Sequence, residues 1–334
     1  MNINNLSDIA TLANQLPTVD GAAREAAQQH QNNLTKPPGS LGRLEELAIF
    51  MAGWRATSRP DIRMAQALVF AGNHGVCAQG VNPYPQEVTK QMVANFEHGG
   101  AAINQLCRAN GADLSVIALD LDRPTADFTQ GPAMSEPETL DAMNRGVAAV
   151  DPAADILILG EMGIGNSTTA AALASALFGA TPADWVGPGT GSDAAGIARK
   201  IAVITKGLAL HGAKSPMTIL AALGGREQAA ICGAVLAARK RRIPVILDGF
   251  ICTSAAATLY AADPRLLEHC LVGHVSAEPG HRRLLDAIHQ RAVLEFDMRL
   301  GEGSGAALAL GILRSALACH NGMATFAEAG ISEA

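Results

Sequence analysis

The stretch Ile156-Leu157-Ile158-Leu159-Gly160-Glu161-Met162-Gly163-Ile164-Gly165-Asn166-Ser167 sets an apolar run of strand length against a glycine-rich turn, and an uncharged helical pattern follows through Ala183. The same unit recurs along the chain. Apolar runs at Ala67–Ala71, Leu114–Leu119, Ile219–Leu223 and Val245–Leu247 are likewise separated by longer segments of helical period. Alternation of strand and helix predicts an α/β fold with a doubly wound parallel sheet. Ligands of such sheets bind outside the carboxyl ends of the strands, and polar, glycine-rich residues follow four of the five runs. These are Gly72-Asn73-His74-Gly75 after the first, Gly160 to Ser167 after the third, Gly224-Gly225-Arg226-Glu227 after the fourth and Asp248-Gly249 after the fifth. One site is expected where they converge.

Composition narrows the function. The chain has 334 residues, enough for one large domain or two unequal ones, and a compact body with a smaller attachment is expected. Hydrophobic residues make up 49% but aromatics only 4%, so the core must be built from Ala, Leu, Ile and Val. A net charge of -6 argues against a nucleic-acid partner, which needs a basic face. The basic run Arg239 to Arg242 reads as a solvated helix C-terminus, favoured by the helix dipole. Six cysteines form no metal spacing and are expected reduced, as in the cytoplasm. The N-terminus lacks the pattern of a secretory signal, and no stretch reads as a membrane span. A first helix is expected from Leu41, with Ser40 as its cap after Pro37-Pro38-Gly39.

The segment Gly160 to Ser167 has the spacing of a phosphate-binding P-loop, with Asn166 in place of its lysine. Nucleoside triphosphate chemistry is therefore not expected, while bare N–H groups opening a helix still favour a phosphate; tight strand-to-helix packing is the plainer reading. A second cluster, Gly187-Pro188-Gly189-Thr190-Gly191-Ser192-Asp193, matches a dinucleotide fingerprint only formally, since no long strand precedes it. Lys200, two turns into the next helix, reads either as a phosphate partner or as a surface lysine. Glu302, between Gly301 and Gly303, reads either as an acid projecting into a cleft or as a helix N-terminal acid. Nine histidines include no paired metal spacing, and His74 and His281 read as loop-ordering or substrate-touching groups. No metal or other cofactor is expected. From the residues alone, a non-catalytic nucleotide- or phosphate-binding module stays open beside an enzyme, with Glu302 as the residue such a module would not need.

Nine segments in order, Leu34–Ala48, Ala71–Val76, Tyr84–Met92, Gly160–Ala170, Gly187–Gly191, Ala222–Ala230, Leu247–Ile251, His274–His281 and Met298–Leu310, are together similar to the nicotinate-nucleotide:dimethylbenzimidazole phosphoribosyltransferases of cobalamin lower-ligand assembly. The resemblance implies transfer of a phosphoribosyl group from nicotinate mononucleotide to 5,6-dimethylbenzimidazole with inversion at the sugar carbon. It implies a Rossmann-like large domain, residues 63–305, with a small helical domain drawn from both chain ends, residues 1–62 and about 306–334, in a homodimer. It implies Glu302 as catalytic base. Tyr84 and Gln86 are implied at the benzimidazole pocket, Glu161, Gly163, Gly165, Gly189, Thr190, Gly191 and Lys200 around the ribose phosphate and nicotinate, and Leu300 as a further substrate-binding residue. Asp248 and Ser276 are implied as supports. The residues before Tyr84 read Val81-Asn82-Pro83 and leave the base preference open.

Overall fold

A computed structural model describes residues 1–189, 191–212 and 214–332. Five strands form one parallel sheet: β1 (Ala65–Ala71), β2 (Ala112–Ala118), β3 (Ile156–Met162), β4 (Val245–Leu247) and β5 (Cys270–Val272), in the order β2-β1-β3-β4-β5. A second, two-stranded parallel sheet pairs β6 (His274–Val275) with β7 (Leu294–Glu295). The helices, in chain order, are α1 (Ile9–Leu12), α2 (Gly21–Asn33), α3 (Arg43–Arg55), α4 (Glu87–Glu97), α5 (Ala102–Asn110), α6 (Glu136–Ala149) and α7 (Asn166–Phe178). There follow α8 (Ala194–His211), α9 (Pro216–Leu223), α10 (Arg226–Lys240), α11 (Phe250–Ala262), α12 (Pro279–Ala287), α13 (Ser304–Gly322) and α14 (Phe326–Ala329).

The inner strands of the large sheet are buried on both faces, and each face has its own core; β2, at the edge, exposes Asp113 and Ser115. Leu68, Phe70, Leu157, Leu159 and Leu247 point to the core shared with α6, α7, α9, α10 and α11. Ala67, Val69, Ile158 and Ile246 point to the other, shared with α3, α5 and the first turns of α13. Period-two alternation sends neighbours to opposite faces, so a continuous apolar run is what two-sided burial requires. The expected doubly wound, Rossmann-like sheet is present. Its strand order reverses between β1 and β3, and the crevice beyond their carboxyl ends is where this topology leaves room for a ligand.

Three expectations are corrected. Ile219–Leu223 is not a strand but the end of α9, whose N-cap Ser215 accepts from Thr218 N–H with Pro216 at the first helical position. A short, fully apolar run carries no period, and the Ser-Pro start decides for helix. The fifth strand of the sheet is instead Cys270–Val272, too short to stand out in sequence. Secondly, α3 begins at Arg43 rather than Leu41, and Ser40 does not cap it. Glu45 reaches back to accept from Leu41 N–H at 2.9 Å and pairs with buried Lys36 at 2.8 Å, holding the Gly39–Gly42 turn out of the helix. Thirdly, the basic run is not wholly solvated. Arg239 is fully buried, donating to the carbonyls of Pro17 and Arg265, stacked 4.6 Å over the Trp54 ring and paired with Glu268 at 3.2 Å. It fastens the N-terminal arm to the body.

The closest helix packing lies behind the sheet, where α6 crosses α10. A Cβ added at Gly233 would stand 1.9 Å from the Met143 carbonyl oxygen, and one at Gly146 the same distance from that of Ala230. Both obstacles are backbone, so neither can swing aside. Gly233→Ala should therefore destabilise the protein by about 3 kcal/mol, the upper end of ordinary overpacking costs, read as a lower urea midpoint. Gly322→Ala, at a site with nothing within 4 Å, should leave the midpoint within about 0.5 kcal/mol of the parent.

Candidate active site

The ends of β1, β3 and β4 bring together a cleft lined by Tyr84, Glu161, Gly163, Gly165, Gly189, Lys200, Asp248, Ser276 and Leu300, nine of the residues singled out in the sequence. Val81, Asn82 and Pro83 line it beside Tyr84. Gln86 does not: its amide donates to the His74 carbonyl, which ties the start of α4 to the end of β1. Gly191 is described but stands outside the lining, and Thr190 lies outside the described residues. Glu302 sits directly behind the wall formed by Leu300 and Gly301 and is 6% exposed.

Why Glu302 lies there can be read from contacts between backbones. The strand β3 runs on through Gly160 and Glu161 to Met162, further than its aliphatic stretch. A Cβ at Gly160 would stand 2.5 Å from Gly303 N and 2.6 Å from the Glu302 carbonyl, so only glycine lets the 301–303 turn press on the strand. That turn is left-handed throughout, with φ of +86° at Gly301, +65° at Glu302 and +87° at Gly303. Such a φ on a glutamate is a strained conformation held by its surroundings. Asp248, at the end of β4, supplies the hold: its carboxylate accepts from Gly303 N–H at 3.1 Å and from Ala306 N–H at 2.9 Å, capping α13. His274 Nε2 stands 3.7 Å from the same carboxylate.

Burial dominates the electrostatics. Desolvation, and after it the Asp248 charge, pushes the Glu302 carboxyl up to about 7, and its Oε2 has no hydrogen-bond partner among the described residues. Glu161 is raised well above the usual range by burial and by the charges of Asp248, Glu227 and Glu302, against a hydrogen bond from the Asn166 amide. Asp248 is raised by burial, opposed by His274 and the backbone donors. A carboxyl of pKa near neutral, short of partners and beside a cleft, is poised to take a proton.

The opposite end of the cleft is cationic. Lys200, 3% exposed, places Nζ 3.2 Å from Ser167 Oγ in the first turn of α7, and burial lowers its pKa against the pull of Glu278. An ammonium beside a helix N-terminus, with glycine backbone next to it, is suited to a phosphomonoester. The surface-lysine alternative is set aside. Of the histidines, His74 is fully buried with Nε2 3.0 Å from Glu227 Oε1, under the Gly163 turn, and His281 accepts from Ser276 N–H at 2.8 Å. Both order loops. Burial drops the His281 pKa to about 3.

Two of the lining residues not nominated from sequence hold the glycine loop. Glu278 is buried and accepts from Gly189 N–H at 2.9 Å, and Arg299 donates to the Gly189 carbonyl at 2.8 Å. The available signal was an acid immediately before Pro279, the first residue of α12, and a base three positions before Glu302. Among the described residues no group of His, Cys, Asp and Glu has the geometry to hold a metal ion, and no helix is long and apolar enough to cross a membrane.

Comparison with known proteins places the chain among enzymes. A family model described as phosphoribosyltransferase matches residues 16–331. The nicotinate-nucleotide--dimethylbenzimidazole phosphoribosyltransferase of Rhodobacter capsulatus is 70% identical over 99% of each chain, and that of Ruegeria pomeroyi is 58% identical over 99% of this chain and 98% of its own. The crystal structure of nicotinate-nucleotide-dimethylbenzimidazole phosphoribosyltransferase from Thermus thermophilus superposes with a TM-score of 0.87 at 39% identity, covering 94% of this chain and all of that one.

The raised Glu302 value has a consequence for stability. A carboxyl that binds its proton more tightly folded than unfolded supports the fold fully below its ordinary 4.5, and that support is lost as pH rises through about 7. Glu302→Gln should thus be more stable than the parent at about pH 8, by about 2 kcal/mol once solvent reaching the cleft side is allowed for, and equal to it at about pH 4. Urea melts of both proteins across this range would show the difference; a constant offset would mean that Glu302 titrates normally.

Proposed function

We propose that the chain, which belongs to the phosphoribosyltransferase family, transfers the phosphoribosyl group of nicotinate mononucleotide to 5,6-dimethylbenzimidazole, releasing nicotinate and α-ribazole 5′-phosphate. The observation that carries this reading is a buried lysine at a helix N-terminus in the cleft lining, with a buried carboxyl of pKa about 7 on the turn that continues from the wall residues Leu300 and Gly301. A non-catalytic phosphate-binding module would need the first and not the second.

In this reading the donor's phosphate rests on Lys200, Ser167 and the first turn of α7, next to Gly189. Its ribose and pyridinium ring lie along Glu161, Gly163 and Gly165. The acceptor ring stacks between Tyr84 and Leu300, which are 49% and 50% exposed at the mouth, with Gln86 holding the start of α4. Asp248 and Ser276 support the wall.

The chemistry asks little more. The pyridinium nitrogen of the donor already carries positive charge, so when its bond to the sugar breaks it leaves as a neutral pyridine, and no acid is needed. A benzimidazole nitrogen attacks the same carbon from the opposite face, and the acceptor's N–H proton passes to Glu302. A carboxyl near its own pKa at neutral pH can accept that proton and return it to water. Attack opposite the leaving group converts a β nucleotide into an α product.

We further propose a homodimer working in the cytoplasm, with residues 1–62 and about 306–334 as a small helical unit on a catalytic body of residues 63–305. Contacts between the chain ends support that division: Gln31 Nε2 meets His320 Nδ1 at 2.8 Å, and Leu34 bridges Thr325.

Incubation of the protein with the two substrates should yield nicotinate and the α-configured product in equal amounts; a β product would overturn displacement with inversion. Glu302→Gln should bind both substrates and lose a factor of roughly 10² to 10⁴ in kcat. Lys200→Ala should raise KM for nicotinate mononucleotide by about tenfold or more and leave that for dimethylbenzimidazole near the parent value. Equal weakening of both would remove Lys200 from the phosphate.

A further inference from the structure

The peptide of Gly189 is gripped from both sides. Its N–H donates to Glu278 Oε1 at 2.9 Å and its carbonyl accepts from Arg299 Nη1 at 2.8 Å. A Cβ at Gly189 would meet Lys200 Nζ at 3.1 Å and Ser167 Oγ at 3.0 Å, so this peptide lies directly over the cationic end of the cleft. The two grips differ in kind. Glu278 is buried and packed across Gly187, where a Cβ would stand 2.2 Å from its Oε2, which makes it a fixed anchor.

Arg299 is exposed and belongs to the segment 296–303 that carries Glu302. That segment is under tension: Asp297, Gly301, Glu302 and Gly303 all have positive φ, two of them without the freedom of glycine. Phe296 and Leu300 are exposed within it. Such a backbone persists only where tethers over-determine it. Here they are the Asp248 carboxylate at Gly303, the Ala277 N–H to Met298 carbonyl bond at 2.9 Å, and Arg299 at Gly189. Only the last reaches across the cleft mouth to the glycine loop.

We propose that Arg299 is a positioning residue, a latch tying the glycine loop over the donor's phosphate to the segment that carries Glu302, so that seating the phosphomonoester sets the base. This rests on the reading of Glu302 as base and of Lys200 as the phosphate's partner. A dianion arriving beside Lys200 and the Gly189 backbone strengthens the pull on the guanidinium, and the guanidinium then holds the 296–303 segment in its strained form. Coupling of this kind is reciprocal: what steadies the base segment also tightens the phosphate seat. Lysine, a point charge on a shorter reach, replaces the planar fork only in part.

The test compares Arg299→Ala and Arg299→Lys with the parent. Arg299→Ala should raise KM for nicotinate mononucleotide about tenfold and lower kcat about tenfold, the scale of one charge-assisted hydrogen bond, with the dissociation constant of dimethylbenzimidazole alone unchanged. Arg299→Lys should recover part of both losses. Parent-like kcat and KM in Arg299→Ala would overturn the latch, as would a change confined to dimethylbenzimidazole. Hydrogen exchange with inorganic phosphate as the probe reads the coupling without turnover. In the parent, residues 186–189 and 296–303 should gain protection together, and in Arg299→Ala only the first should. Joint protection in both proteins, or none at 296–303 in the parent, would overturn the proposal. A parent that shows the joint protection but no turnover would instead refute the proposed reaction and leave the latch standing.

Discussion

Two hydrogen bonds from backbone to one carboxylate fix the turn that carries Glu302. Asp248 emerges from the end of β4 and takes the N–H groups of Gly303 and Ala306, which docks the start of α13 against the sheet. Everything placed on the left-handed turn before that helix, Glu302 above all, is located by this cap. The cap is costly in isolation, since Asp248 is fully buried and its charge is disfavoured there. It is tolerated because donors surround it: two backbone N–H groups, the positive end of a helix and His274. A neutral asparagine would fill the space and make fewer and weaker bonds to the same N–H groups.

The acids around it follow a single logic. Glu161, Glu227, Asp248 and Glu302 converge near the ends of β1, β3 and β4, and the other three raise the cost of ionising Glu161. Two of the four are met by a histidine, Glu227 by His74 at 3.0 Å and Asp248 by His274 at 3.7 Å. Glu161 is met only by the Asn166 amide, and Glu302 is left with an unpartnered oxygen. Asp248 holds backbone and lines the cleft together with Glu161, while Glu227 and Glu302 lie outside the lining. Stability for this arrangement comes from elsewhere, from two aliphatic cores of near-zero exposure on either face of the sheet.

Much of this was legible in the chain. Aliphatic runs ending in glycine gave the parallel sheet and the edge at which the site forms, because two-sided burial and ligand approach impose those residues directly. The glycine around Glu302 carried the strongest local signal, and the structure explains it as a close approach of two backbones, Gly160 on Gly303. What stayed hidden had a physical reason in each case. Ile219–Leu223 has no period to separate helix from strand, and Cys270–Val272 is three residues long. Arg239 looked like a solvated end because burial of a guanidinium depends on carbonyls from Pro17 and Arg265, which lie far from it in the sequence. Glu278 and Arg299 gave no signal as a pair, since what joins them is the peptide of Gly189, a partner without a side chain.

That last pairing also explains why the cleft can be polar at one end and apolar at the other without the two being independent. Lys200 stands with α7, α8 and the glycine loop, and Glu302 with β4, α13 and the turn before it. Their link is made by hydrogen bonds to backbone, which are directional and short-ranged and can be remade within a small displacement. A guanidinium on a carbonyl is such a link, directional where apolar packing is not. The strain kept in the 301–303 turn then has a use. It makes the base's position depend on its tethers, and so on whatever fills the cleft beneath them.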